Sequence, residues 1–368
     1  MKKVNIIRFI FVLAVFSAVT MIFTASAAAQ TVYKWRLVSV WPAYTAFAQV
    51  EKRLIKNIFE LSGGRLQITG HAAGELVPTM AVFDTVSKGA AEMGIDYPGY
   101  WQGKNSVFDL LGTVPMAFSQ YDVINWYIHG GGRELFNEMY GKYNLIYYMH
   151  SVASVGSGIR SIKPIRTLAD LKGLKIRVSG RAAGYVMVKA GATPVMTDPA
   201  QIAQALAQGQ IDAASFNAPK VDLSLGLGEV TKYNIGPGWN IPSGVGGLMI
   251  NKDAWDTLPP DLKKIIEVAT MDSITFFSSL SEWDTIDALN EFQEKGTVVT
   301  KFSDKELAQI EAWVWEFIEA EAKKNPDFEK VATSIFQYMK NYSIARKYQE
   351  PYSHGRNPAK YPKLPKLK

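Results

Sequence analysis

The sequence predicts an α/β fold of two lobes, with a long helix between them and an all-helical C-terminal end. Three observations predict it. Strand-like runs alternate with helical periodicity in the first third of the chain and again in its middle. The alternation stops near Pro259, after which nearly everything reads as helix. The chain has 368 residues, more than one hydrophobic core usually serves.

Residues 32–40 (VYKWRLVSV) alternate as a first strand, which Trp41-Pro42 ends. Residues 44–61 have helical spacing and stop at Gly63-Gly64. A second strand is expected at 65–69, a helix from Glu75 through Ser87 and a buried strand at 91–95. In the middle, strands are expected at 145–149, 174–178, 194–196 and 211–216, and helices at 182–190 and 200–208. Residues 244–251 (GVGGLMIN) read as a crossing strand. Helices follow over 260–294, 304–323 and 326–340. The expected division is 30–156 with 240–284 as one lobe and 157–239 with 285–345 as the other. Residues 346–368, with Pro358, Pro362, Pro365 and five Lys or Arg from Arg356 on, read as an extended basic tail.

The first 29 positions read as an export signal. Lys2, Lys3 and Arg8 precede an apolar run over 9–23, and Ala27-Ala28-Ala29 offers a cleavage site. Removing them halves the formal charge of +6. The chain has no cysteine, so an exported product must be held by its core rather than by disulfides. No basic stripe interleaved with aromatics argues for nucleic acid.

Enzyme signatures are missing. His129-Gly130-Gly131-Gly132 looks like an esterase oxyanion loop, but no G-x-S-x-G accompanies it, so it reads as a turn. The four histidines, His71, His129, His150 and His354, have no metal-ligand spacing. Neither phosphate-loop nor dinucleotide fingerprint occurs.

Arg177 is the candidate that organises the rest. It sits between Ile176 and Val178 in a short strand-like run. A guanidinium among apolar neighbours keeps its charge and needs an anion, and its planar fork suits a carboxylate. The anion is either a ligand carboxylate or a nearby acid such as Asp170. Arg160 is a second candidate, with a surface position near Lys163 and Arg166 as its alternative. Aromatics cluster just past predicted strands: Trp41 and Tyr44, then Tyr97, Tyr100 and Trp101, then Phe216, then Trp239. Each alone could be core; together they suggest a pocket wall. Asn217 could bond a ligand oxygen or serve a turn beside Pro219.

The run 168–180 (LADLKGLKIRVSG) resembles the signature of the solute-binding proteins of TRAP (tripartite ATP-independent periplasmic) transporters, the dicarboxylate-type superfamily. The resemblance continues through 71–78 (HAAGELVP), 114–118, 225–234 and 247–266. Residues 129–144 (HGGGRELFNEMYGKYN) and Pro237-Gly238-Trp239 resemble the branch that binds 2-oxo acids and lactate. The resemblance implies a Venus-flytrap periplasmic binding protein with Arg177 as ligand anchor. It also implies a second arginine near Arg160, a small organic acid as ligand, delivery to a membrane permease, and in some members a homodimer through the helical end. Here Trp313, Trp315 and Phe317 would serve either that dimer or the core. That branch often holds a cation on acidic side chains and an amide. At those places this chain has Ser215, Ile241 and Val155 or a neighbour, none of them a carboxylate, so binding without metal is expected. The less charged pocket also admits a more apolar or aromatic carboxylate.

Overall fold

The computed structural model describes residues 30–349; the expected export signal, and the tail beyond Gln349, lie outside the described residues. The chain opens with β1 (Tyr33–Ser39), whose Trp35 and Leu37 are buried while Lys34 and Arg36 are exposed. Helix α1 (Ala46–Leu61) lays Val50, Leu54 and Ile58 on the core and returns the chain to β2 (Leu66–His71), parallel to β1. Then come α2 (Val82–Ser87), β3 (Met93–Asp96), α3 (Val107–Gly112), α4 (Gln120–His129), α5 (Gly132–Gly141) and β4 (Leu145–Ala153). The 129–132 glycines make the turn between α4 and α5, with Gly131 at φ 84°.

The second unit holds β5 (Ile159–Ser161), β6 (Lys175–Arg177), α6 (Arg181–Lys189), β7 (Thr193–Val195), α7 (Ile202–Ala207) and β8 (Ala213–Ala214). It continues with α8 (Pro219–Ser224), α9 (Leu227–Val230) and β9 (Tyr233–Gly236). The chain returns to the first sheet as β10 (Gly244–Asn251), then runs through α10 (Lys252–Asp256), α11 (Pro260–Glu294), β11 (Val298–Lys301), α12 (Asp304–Ala322) and α13 (Pro326–Gln349).

Two sheets result, ordered β2-β1-β3-β10-β4 and β11-β9-β5-β8-β6-β7. β10 is wholly buried and pairs antiparallel with β3 and β4. Its Gly247 has no alternative, because a Cβ there would stand 2.1 Å from the Tyr147 ring. The 35-residue α11 packs on α1 and β4 of the first unit and on α8 of the second, so one rigid rod touches both. Helix α12 packs on α6, whereas α13 packs on α3, α4 and α5 of the first unit. Apolar burial therefore seats α13 against the first sheet's helices, unlike the sequence division that groups 285–345 with the second lobe. Helix α13 also continues to Gln349, so the first residues of the expected tail are helical.

Glu51 on α1 is buried and accepts a hydrogen bond from the Ser39 hydroxyl at 2.7 Å. Burial pushes its carboxyl up to about 8. A carboxyl raised in the folded chain holds its proton more tightly than in the unfolded chain. Its contribution is therefore full below the ordinary glutamate range and is lost as pH rises toward the folded value. Glu51→Gln should flatten the fall in melting temperature between about pH 5 and 8. An unchanged pH profile would mean Glu51 does not titrate there.

Candidate functional site between the two sheets

Arg177 closes β6, a strand flanked on both sides within the second sheet, and its side chain is fully buried. Its Nη1 donates to the Ser215 carbonyl at 2.9 Å and its Nε to the Thr197 carbonyl at 3.4 Å. Its Nη2 has no partner. Asp170 is not its counter-ion. That carboxylate accepts from the amides of Arg166 and Thr167, both at 2.9 Å, and caps its own turn. Burial pulls the Arg177 pKa down, and the phenols of Tyr100 and Tyr97 work against that. A guanidinium stays charged regardless, so this is a buried cation served by carbonyls and the Tyr100 phenol, with no acidic partner.

Aromatics of both units gather around it. The Arg177 guanidinium lies 4.9 Å from the Phe216 ring centroid. Trp41 stands edge-on to Phe216 at 6.3 Å, is stacked on Phe47 at 4.3 Å, and lies 6.1 Å from Tyr100. Tyr97 packs against Tyr100 at 5.2 Å. Burial pushes the Tyr100 phenol up to about 12 despite the nearby Arg177. Trp41 follows β1 and Phe216 follows β8, so the two sheets meet through side chains just past their strand ends.

Several buried polar atoms around this junction lack partners. Donors are Arg177 Nη2, Arg160 Nη1, Trp41 Nε1, Trp239 Nε1 and the Tyr97 hydroxyl; acceptors are Asn240 Oδ1 and Asn234 Oδ1. Native interiors leave few such atoms unpaired unless a ligand or water completes them. The excess of donors, with a buried cation among them, suits an anion.

Arg160 is not a surface residue, as its alternative reading had it. It is buried on β5, with Nε donating to Asp222 Oδ2 at 3.0 Å, Nη2 to Ser157 Oγ at 3.1 Å, and its guanidinium over the Phe292 ring at 3.3 Å. Burial raises the Asp222 pKa and Arg160 pulls it back. One nitrogen of Arg160 remains unspent.

The other candidates divide. Trp239 is buried, and its carbonyl accepts from Met116 N at 2.8 Å, tying the β9–β10 loop to the first unit. Asn217 uses its Oδ1 on the Ala218 amide at 2.8 Å, so that oxygen performs turn chemistry. Tyr44 is exposed at the rim, with Asp198 near its phenol. Trp101 turns away: its indole donates to Asp96 at 2.7 Å and packs on Phe83 inside the first unit. Trp313 is half-buried, Trp315 packs on Phe336 and Phe317 on Phe328, so these face the core. Sequence reading missed Asn240, whose Nδ2 donates to Ser215 Oγ at 2.8 Å, and Asp222, because neither carries a local signal.

The region around Ser215, where relatives' cations are expected, does not fit a hard cation. Ser215 Oγ is engaged by Asn240, Ile241 is apolar and buried, and the two unpaired acceptors are neutral amides. Among the described residues no cluster of three His, Cys, Asp or Glu stands ready for a metal.

Residues 37–325 match the family model of the bacterial extracellular solute-binding proteins, family 7. A monocarboxylate 2-oxoacid-binding periplasmic protein of Nostoc is 29% identical over 300 residues, covering 81% of this chain and 82% of the relative. A TRAP periplasmic solute-binding protein of Pseudoalteromonas atlantica, solved with sodium and pyruvate, aligns with a TM-score of 0.82 at 30% identity. That alignment covers 86% of this chain and 97% of the other. A Bordetella bronchiseptica TRAP solute-binding protein, a dimer with copurified calcium and picolinate in one site, aligns at 0.83 with 27% identity, covering 87% and 95%. These relatives are receptors rather than enzymes. With its two-sheet fold and buried arginine at their junction, this chain belongs to family 7 of the bacterial extracellular solute-binding proteins, the carboxylate receptors of TRAP transporters.

Proposed function

We propose that this protein receives a small organic monocarboxylate in the periplasm and hands it to a membrane permease for ion-gradient-driven uptake. The ligand is a 2-oxo or 2-hydroxy acid, or a more apolar or aromatic relative of one. The observation that carries this reading is Arg177, buried, without an acidic partner, and with Nη2 unspent. The carboxylate lies against Arg177, while Trp41, Tyr97 and Tyr100 of lobe 30–156 and Phe216 and Trp239 of lobe 157–239 wall it in. Arg160 offers its free nitrogen to a second ligand oxygen.

The mechanism is closure without chemistry. A ligand bridging both lobes stabilises the closed form by its contacts there, and only that difference shifts the equilibrium. Helix α11, anchored on both units, sets the path along which they approach. The N-terminal export signal over 1–29, cleaved near Ala29, delivers the chain to that compartment. The homodimer is carried over from the Bordetella relative, and light scattering on purified protein checks it.

The acid binds without a metal in this reading, because the site has donors to offer and its one nearby carboxylate, Asp222, is already paired with Arg160 and the Asn217 amide. Titration calorimetry with pyruvate, lactate and phenylpyruvate, with and without EDTA, tests both points. One or more acids should bind, with Kd unchanged within about twofold by chelator. Chelator-sensitive binding would restore the metal, and binding of sugars or amino acids alone would refute the carboxylate.

A further inference from the structure

We infer that Asp109 is the closure latch of this receptor, a positioning residue of the first lobe that caps helix α6 of the second lobe just beyond Arg177. The inference rests on the two-lobe reading above. Asp109 lies on α3, whose neighbours are the 98–101 turn, β10 and α13, all of the first unit. Its Oδ1 accepts from the Arg181 amide and its Oδ2 from the Ala182 amide, both at 2.9 Å. These are first-turn amides of α6, whose preceding strand β6 ends on Arg177. The side chain is buried.

Lobe two leaves this helix end uncapped by itself. The residue before α6 is Gly180, at φ +93°, which brings no side-chain acceptor. A side chain there is also excluded, since a Cβ would stand 2.7 Å from Asp109 Oδ1. Where other α-helices of the described residues do have a side-chain cap, it is local: Ser119 accepts from Asp122 N at the start of α4, and Ser303 from Glu306 N at the start of α12. Only for α6 among these does the cap come from 72 residues away. The side chain of Arg181 does not neutralise the latch directly; it forms a bidentate pair with Glu321 at the end of α12, at 3.0 and 3.1 Å.

The chemistry suits a contact made on closing. In an open receptor, water would hydrate both the carboxylate and the two amides. On closing, each replaces the other's water, and the charge sits at the positive end of the α6 dipole. Burial pushes the carboxyl up to about 6 against the pull of the two amides, so desolvation offsets much of what the hydrogen bonds return. The latch therefore stays reversible. It also fixes the Ser179–Gly180 segment, and with it the end of the strand that presents Arg177.

Two variants and two readouts test this. Asp109→Ala removes the latch; Asp109→Asn keeps its size but replaces one acceptor by a donor. Pyruvate is the probe, and stopped-flow tryptophan fluorescence gives association and dissociation rates. Both variants should dissociate pyruvate about three- to thirty-fold faster, the range of a lost helix cap, with association little changed. Melting of the ligand-free protein should stay near wild type, whereas a merely structural role would lower it. Hydrogen exchange with pyruvate bound gives the second readout: amides 181 and 182 should lose protection in both variants. Unaltered exchange and dissociation in both would overturn the latch. Should wild type fail to bind pyruvate, that ligand reading fails by itself, and the same rates and exchange, measured with whichever acid of the calorimetry panel binds, decide the latch.

Discussion

Replacing Arg177 by alanine is expected to weaken carboxylate binding by about 2–5 kcal/mol, a loss of roughly thirty- to several-thousand-fold. Most of that loss is the cost of leaving a carboxylate buried without its cation. The same substitution should leave the ligand-free protein as stable as wild type, or more so. Arg177 is a buried charge whose protein partners are the Ser215 and Thr197 carbonyls and the Tyr100 phenol, so its removal relieves desolvation and strands no acid. Arg177→Met keeps the volume and should show the stability effect more cleanly. Calorimetry and thermal melting together separate an anchor from a scaffold residue. Binding within about threefold of wild type would end the anchor assignment.

Asp222→Ala is expected to act the opposite way, on the fold before the ligand. Asp222 holds Arg160 at 3.0 Å and accepts from the Asn217 amide at 3.0 Å, with both charges buried. Removing one partner of such a pair costs about 3–5 kcal/mol, because the other charge is left uncompensated. For a chain of this size that is a drop in melting temperature on the order of 10 °C. Replacing both residues together, Arg160→Met with Asp222→Leu, should recover much of it, since no charge is then stranded. A single-variant loss below about 1 kcal/mol in urea unfolding would show that water reaches the pair.

Much of this architecture was legible in the residues. Strand β10 and helix α11 fall where periodicity and Pro259-Pro260 put them. The burial of Arg177 was legible in its apolar flanks, a local signal. What stayed hidden depends on partners far along the chain. Strands β5, β9 and β11 are three or four residues long and exist because they pair in one sheet, with β5 and β9 in register from Ile159 to Ser161. Arg160 gave no hint of Asp222, 62 residues on, and α6 gave no hint that its cap lies in the other lobe. Trp101 misled because a strand-end aromatic looks the same whether its indole faces a cleft or, as here, Asp96.

The most direct measurement is a crystal structure of the protein grown with pyruvate or another acid that binds. The account predicts the carboxylate within hydrogen-bond distance of Arg177 Nη2, enclosed by Trp41, Phe216 and Tyr100, with no cation beside Ser215. A ligand bound elsewhere, or Arg177 fully satisfied by protein groups with the acid held on a metal, would contradict it.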